Sequence, residues 1–175
     1  MQLFRALDVA GSLAIFDAVH RDYPAVRPRL WQRGLSLYYA SRFAEGAEQF
    51  RCDTAVNAAD AEEALWCCLC ETKVHGHAAA VARMLPVGED PRPALRVALR
   101  AFSGSATLEE LRAAGAFSAH DFFYAKLYEA LLLEARGQEA LSRAAMEQAL
   151  QCAYAGASDD YMIAVARVHA KERGY

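Results

Sequence analysis

Apolar residues recur along the chain at three- and four-residue steps, and no segment shows the sustained alternation of β-branched residues that a strand requires. The pattern predicts an all-α protein. Four stripes stand out: Leu30, Gly34, Leu37 and Tyr38; Phe43, Ala47 and Phe50; Phe123, Leu127, Ala130 and Leu131; and Leu141, Ala145, Ala149 and Cys152. Each marks a helix face that must be buried against another helix. Pro24, Pro28, Pro86, Pro91 and Pro93 fall in the gaps, and Thr107 with Glu110 and Ser118 with Asp121 have the spacing of capping boxes. In the middle of the chain the pattern predicts helices from Ala61 to Lys73, Ala78 to Leu85, Pro93 to Phe102 and Leu108 to Ala114. At the C-terminus, Ser158 is expected to cap a last helix with Asp159 and Asp160 in its first turn, Lys171 and Arg173 in its last turn and Gly174 beyond it.

The stripes also repeat. Phe16 and Phe50 lie 34 residues apart, as do Ser12 and Gly46, and Trp31 and Trp66 lie 35 apart. Each interval holds two helices of about a dozen residues and a short turn. Gly34, Phe43, Gly46 and Phe50 occupy, in order, the small, aromatic, small and bulky landmarks by which this unit resembles the tetratricopeptide repeat; Asp53 and Ala58 depart from the small residue and proline expected next. A second unit, from about Phe123 to Ala155, carries Ala130, Gly137, Ser142, Met146 and Ala149 in matching places, with Glu139 where an aromatic is expected. The runs LWQRGLSLYY, FAEGAEQFRCD, VGEDPRP, FYAKLY and SDDYM are similar to a group of tetratricopeptide-like proteins found chiefly in plants and algae. The resemblance covers nearly the whole chain and implies a single domain, residues 1–175, folded as a right-handed stack of antiparallel helix pairs. Residues 1–26 form a partial first repeat, 27–60 a complete one, 61–118 a degenerate repeat and insert, 119–156 a further repeat and 157–175 a capping helix. A chain that opens within a repeat is compatible with missing upstream residues, and the expected compartment is the cytoplasm, or a plastid if those residues include a targeting segment.

Composition narrows the class of function. The chain has 175 residues, 55% of them apolar, with 19 basic and 22 acidic side chains and a net charge of −3. A chain of this length buries roughly 70% of its unfolded surface, enough for a core without disulfides or metal. Its charge balance points to neither nucleic acid nor membrane, and no apolar run reaches the ~18 residues of a spanning helix. Lysine is scarce beside arginine, which fits either carboxylate pairing or codon bias. Five cysteines, mostly inside apolar helical stretches, predict buried, reduced thiols and hence an intracellular, reducing compartment.

Three constellations bear on chemistry. By resemblance, the first helices of successive units line a concave face, which places Trp31, Leu35, Tyr38, Tyr39, Glu62, Lys73, Tyr124 and Glu134 there. An aromatic groove of this kind suits a peptide or partner helix, unless the insert packs against the same rings. Trp31 and Leu35 replace the Lys and Asn with which the peptide-clamping members of the family grip a terminal carboxylate. The second constellation is polar. Arg33 occupies a normally packed position and needs a carboxylate, for which Glu71 is the expected partner; Arg92, Arg96, Tyr128, Tyr161 and His169 are expected to extend the pair into a cluster that braces the stack or binds a small anion. The third is Cys67, Cys68 and Cys70 with His75 and His77, whose spacing does not complete a zinc tetrahedron. No nucleophile elbow, phosphate loop or zinc-protease motif is present. The expectation is a cofactor-free, metal-free, non-catalytic adaptor for a protein partner, with a small-ligand site or a homo-oligomeric subunit, formed through Leu3, Leu7, Leu13 and Phe16, as alternatives.

Overall fold

The computed structural model describes residues 1–175 and is entirely helical, with adjacent helices packed on one another. The chain divides into two compact units, Met1–Glu89 and Asp90–Tyr175, with the division inside the segment read as degenerate.

The first unit contains α1 (Gln2–Arg5), α2 (Val9–Asp22), a 3-10 helix (Pro24–Arg29), α3 (Trp31–Tyr39), α4 (Phe43–Thr54), α5 (Ala61–His75) and α6 (His77–Ala82). Neighbours in sequence are neighbours in space: α2 packs on α3, α3 on α4 and α4 on α5. The stripe through Leu37, Tyr38, Ala47 and Phe50 is buried as expected, and α5 is buried almost throughout its first ten residues. That near-complete burial explains why α5 shows no amphipathic pattern: a helix enclosed on most sides is apolar all round. Asp60 caps it by accepting a hydrogen bond from the Glu62 N–H at 3.0 Å. The α6 helix ends at Ala82, earlier than the expected Leu85.

The second unit contains α7 (Pro93–Ser103), α8 (Leu108–Ala114), α9 (Ala119–Ala135), α10 (Glu139–Gln151), α11 (Ala153–Ala157) and α12 (Tyr161–Arg173). The central element is α9, against which α7, α8 and α10 all pack. Its residues from Phe123 to Leu133 are buried with the single exception of Lys126, which is half-buried. Thr107 and Glu110 form the reciprocal capping box that opens α8. Two details differ from expectation. Leu141 is 58% exposed, and α10 buries Ser142 and Met146 beside the expected Ala145 and Ala149. The cap of α12 is Asp160 rather than Ser158. Ser158 stays extended ahead of the helix, and the Asp160 carboxylate accepts from the Met162 N–H at 2.8 Å. Gly174 closes α12 in the left-handed conformation, as the sequence implied.

Candidate functional site

The most elaborate polar arrangement in the first unit surrounds Arg33. This residue lies on α3 between α2 and α4, and only 6% of it is exposed. A guanidinium removed from water to this degree needs both charge and hydrogen-bond partners. Asp17 of α2 accepts from Arg33 Nε at 2.8 Å and pairs with Nη2 at 2.7 Å, and Gln49 Oε1 of α4 accepts from Nη1 at 3.2 Å. Gln49 passes the chain of bonds on: its amide donates to the Arg27 carbonyl at 2.7 Å and to Asp53 Oδ1 at 3.0 Å. On the other side Asp17 also accepts from Arg42 at 2.8 Å, and Arg42 pairs with Glu45 at 2.5 Å. The network therefore ties α2, α3 and α4 together through side chains and holds the 3-10 helix by the Arg27 carbonyl.

Charge follows geometry here. Burial alone would raise the Asp17 carboxyl, but the hydrogen bonds from Arg42 and Arg33 outweigh it and hold it below its ordinary value. The bond to Arg42 lowers Glu45 likewise. Burial, helped by the positive charges of Arg33 and Arg27, lowers His20 and favours neutral imidazole. Beside the network opens a cleft of about 300 Å³ lined by His20, Arg27, Arg33, Ala44, Glu45 and Glu48. Arg27 reaches Glu48 at 3.4 Å, so the cleft walls carry both signs of charge.

The expected Arg33–Glu71 pair does not form. Arg33 turns toward α2, where Asp17 meets it, while Glu71 on α5 is taken by Arg51 of α4, with His75 at 3.4 Å and Arg83 at 3.6 Å. Helix α4 supplies a different partner to each. The other members of the expected polar cluster lie in the second unit. Arg92 and Arg96 both engage Asp90: Arg92 Nη2 donates to its carboxylate at 2.7 Å and Arg96 Nη1 to its carbonyl at 2.7 Å, so these arginines brace the turn before α7. Tyr128 is buried against Phe102 with 6.4 Å between ring centroids, Tyr161 is buried at the start of α12, and the fully buried His169 lies 3.0 Å from Glu134.

The aromatic stripe is core. Tyr38 is 2% exposed and packs edge-on against Tyr39, Phe43 and Trp66 at 5.1, 5.5 and 5.3 Å, and Tyr39 is 8% exposed with Phe4 at 6.0 Å. Tyr124 is buried and donates to Asp160 Oδ2 at 2.9 Å, the same oxygen that accepts from Tyr154 at 2.8 Å. These rings give their contact area to neighbouring helices of their own unit and do not line an open groove. Of the remaining groove residues, Trp31, Glu62 and Glu134 are half-buried, Lys73 is exposed in the last turn of α5, and Glu134 receives Arg173 at 2.9 Å as well as His169 at 3.0 Å. No group of three or more His, Cys, Asp or Glu side chains is arranged to hold a metal ion, and burial pushes the thiols of Cys67 and Cys68 up to about 11 and that of Cys70 well above its ordinary value.

Sequence reasoning missed Asp17, Gln49, Asp53, Glu63 and Asp160. For Asp53 a signal existed, since it replaces the small residue that the repeat register expects. Glu63 reads as an ordinary first-turn acid, yet it is 6% exposed. Burial pushes Asp53 up to about 7, against the hydrogen bonds from Gln49 and the Leu30 N–H, and burial with the nearby charges of Asp60 and Asp53 pushes Glu63 up to about 8. Comparison of the chain with protein-family models, with curated proteins and with solved structures finds no match.

Proposed function

We propose that the protein is a non-catalytic interaction scaffold of the tetratricopeptide-like kind, which holds a partner's amphipathic helix against the outer face of α2. The observation that carries this reading is the state of α2. The helix is largely apolar in sequence, VAGSLAIFDAVHRD, yet of its fourteen residues only Ser12 and Leu13 are buried, and Ile15 is 56% exposed. Gly11, Ala14, Ile15 and Ala18 recur at helical spacing, and small residues let a second helix approach to the 8–10 Å of ordinary helix packing. Leu3, Tyr23 and Val26, before and after α2, are also exposed, at 39, 65 and 37%. The contact surface in this proposal is thus not the aromatic stripe, whose rings are occupied.

Support for a binding role over catalysis comes from how the reactive groups are engaged. The thiols of Cys67, Cys68 and Cys70 are buried and harder to ionise, and Arg33, Glu71 and Glu134 are committed to ion pairs inside their own units. The test compares wild type with Ile15→Asp in affinity purification, followed by reconstitution of the captured protein with the purified chain. Leu141→Asp, equally exposed but in the second unit, is the control. Stoichiometric binding that survives Leu141→Asp and is lost in Ile15→Asp supports the proposal; binding indifferent to Ile15 overturns it. Self-association through the same face would instead appear as a doubled mass in light scattering that Ile15→Asp returns to the monomer value.

A further inference from the structure

The corner where α4 turns into α5 concentrates buried acid with few donors to satisfy it. Asp53 ends α4 with no exposure and Glu63 sits in the first turn of α5 at 6%. Asp53 Oδ1 accepts from Gln49, but its Oδ2 is buried without a hydrogen-bond partner, and so is Glu63 Oε2. The Asn57 side-chain amide ties the turn to Glu63: it donates to Asp60 Oδ2 at 3.2 Å and reaches Glu63 Oε1 at 3.5 Å. The charges around Glu63 are Asp53 from α4, Asp60 from the turn and Glu62 on its own helix, all acidic. Arg27 of the 3-10 helix and Arg33 of α3 act on Asp53. His77 opens α6, and Arg83 and Glu89 are the charged residues of the segment that follows it to the end of this unit. That segment is strapped to the turn itself, because the Gly88 N–H donates to the Ala58 carbonyl at 2.6 Å, an approach so close that a Cβ on Gly88 would stand 3.3 Å from the same oxygen.

We propose that this corner is a pH-sensitive latch: protonated Glu63 keeps the turn of residues 55–60 closed with the Gly88 strap attached, and ionisation of Glu63 and Asp53 opens the turn to water and releases the strap. An ionised carboxylate at either position would carry a buried oxygen with no donor, and at Glu63 it would also face Asp53, Asp60 and Glu62, which costs several kcal/mol unless water enters. Opening the turn is the direct way to admit it. The balance of protons is simple: each carboxyl gives its proton to solvent as the turn opens.

The sign follows from linkage. Both groups are raised in the folded state, so the stability they contribute is full below the ordinary carboxyl range near 4 and is lost as pH rises to about 7 for Asp53 and about 8 for Glu63. Across that window the open population grows by up to about tenfold per pH unit for each group.

The test is amide hydrogen exchange of residues 55–60 and of Gly88 in the full chain at pH 5, 7 and 9, corrected for intrinsic exchange rates. Wild type is expected to lose at least tenfold protection at these amides between pH 5 and 9, Glu63→Gln to lose markedly less, and Asp53→Asn/Glu63→Gln to be flat. Equal loss in wild type and the double variant, or no loss in wild type, overturns the latch. Should the variants not fold, carboxyl-carbon NMR of wild type decides: Glu63 titrating together with the Gly88 amide above pH 6 supports the proposal, and Glu63 titrating near 4 to 5 overturns it.

Discussion

The Cα of Gly34 lies against the ring of Phe50, so close that a Cβ built on the glycine would stand 2.6 Å from Phe50 Cζ. The two residues are the first small and the bulky position of the 34-residue spacing read from the sequence, and their contact lets α3 and α4 pack tightly.

Gly34→Ala is therefore expected to destabilise the protein although alanine is the better helix former. The propensity gain is about 1 kcal/mol, whereas forcing a methyl into a filled contact costs roughly 1–3 kcal/mol. Urea unfolding should show a lower midpoint for Gly34→Ala and recovery when Phe50→Leu is added. A raised midpoint in the single variant would contradict the packing described.

Arg33 and Asp17 should be strongly coupled, and Arg33 and Glu71 should not. Removing one partner of a buried pair costs about 3–5 kcal/mol because the other charge is left stranded. Arg33→Met and Asp17→Leu are expected to show a coupling of about 1–3 kcal/mol in a double-mutant cycle, while Arg33→Met with Glu71→Met adds within about 0.5 kcal/mol. Arg51→Met should couple to Glu71→Met in the same way as Arg33 does to Asp17.

Asp160 serves one oxygen to the Met162 N–H and the other to the hydroxyls of Tyr124 and Tyr154. Asp160→Ala removes a helix cap and leaves two phenols without that acceptor, with an expected loss of about 2–3 kcal/mol. Asp160→Asn keeps an acceptor oxygen and should cost less. Tyr154→Phe should cost about 1 kcal/mol or below. Thermal unfolding of the three variants in that order of stability is the check.

The thiols of Cys67, Cys68 and Cys70 should react with a disulfide reagent only as fast as the first unit opens. Burial both covers these sulfurs and keeps them protonated at neutral pH. Native labelling at pH 8 is expected to stop short of five thiols, with complete labelling only in denaturant. Rapid modification of all five in the native protein would mean that α5 is not enclosed as described.

Most helix positions, the caps at Thr107, Ser118 and Gly174 and the burial of the Gly34, Phe50 and Phe123 to Leu131 stripes were legible in the sequence, because a helix records its buried face locally, every three or four residues. The Asp53 departure from the repeat register marked the acidic corner without revealing its partner Glu63. What the chain's pattern left open is which side chain meets which. Arg33 faces carboxylates at two sequence distances, and only the packing of α2, α3 and α4 selects Asp17 over Glu71. The same holds for the tyrosines. A stripe of Tyr38, Tyr39 and Tyr124 reads alike whether it lines a groove or fills a core, since amphipathic spacing says that a face is covered but not by what. Leu141 makes the same point in reverse, apolar in the sequence and exposed in the fold, because the packing of α10 on α9 covers Ser142 and Met146 beside Ala145 and Ala149 and leaves Leu141 outside. Periodicity is a property of one segment; partner choice, and the pKa shifts that follow from it, belong to contacts between segments distant in the chain.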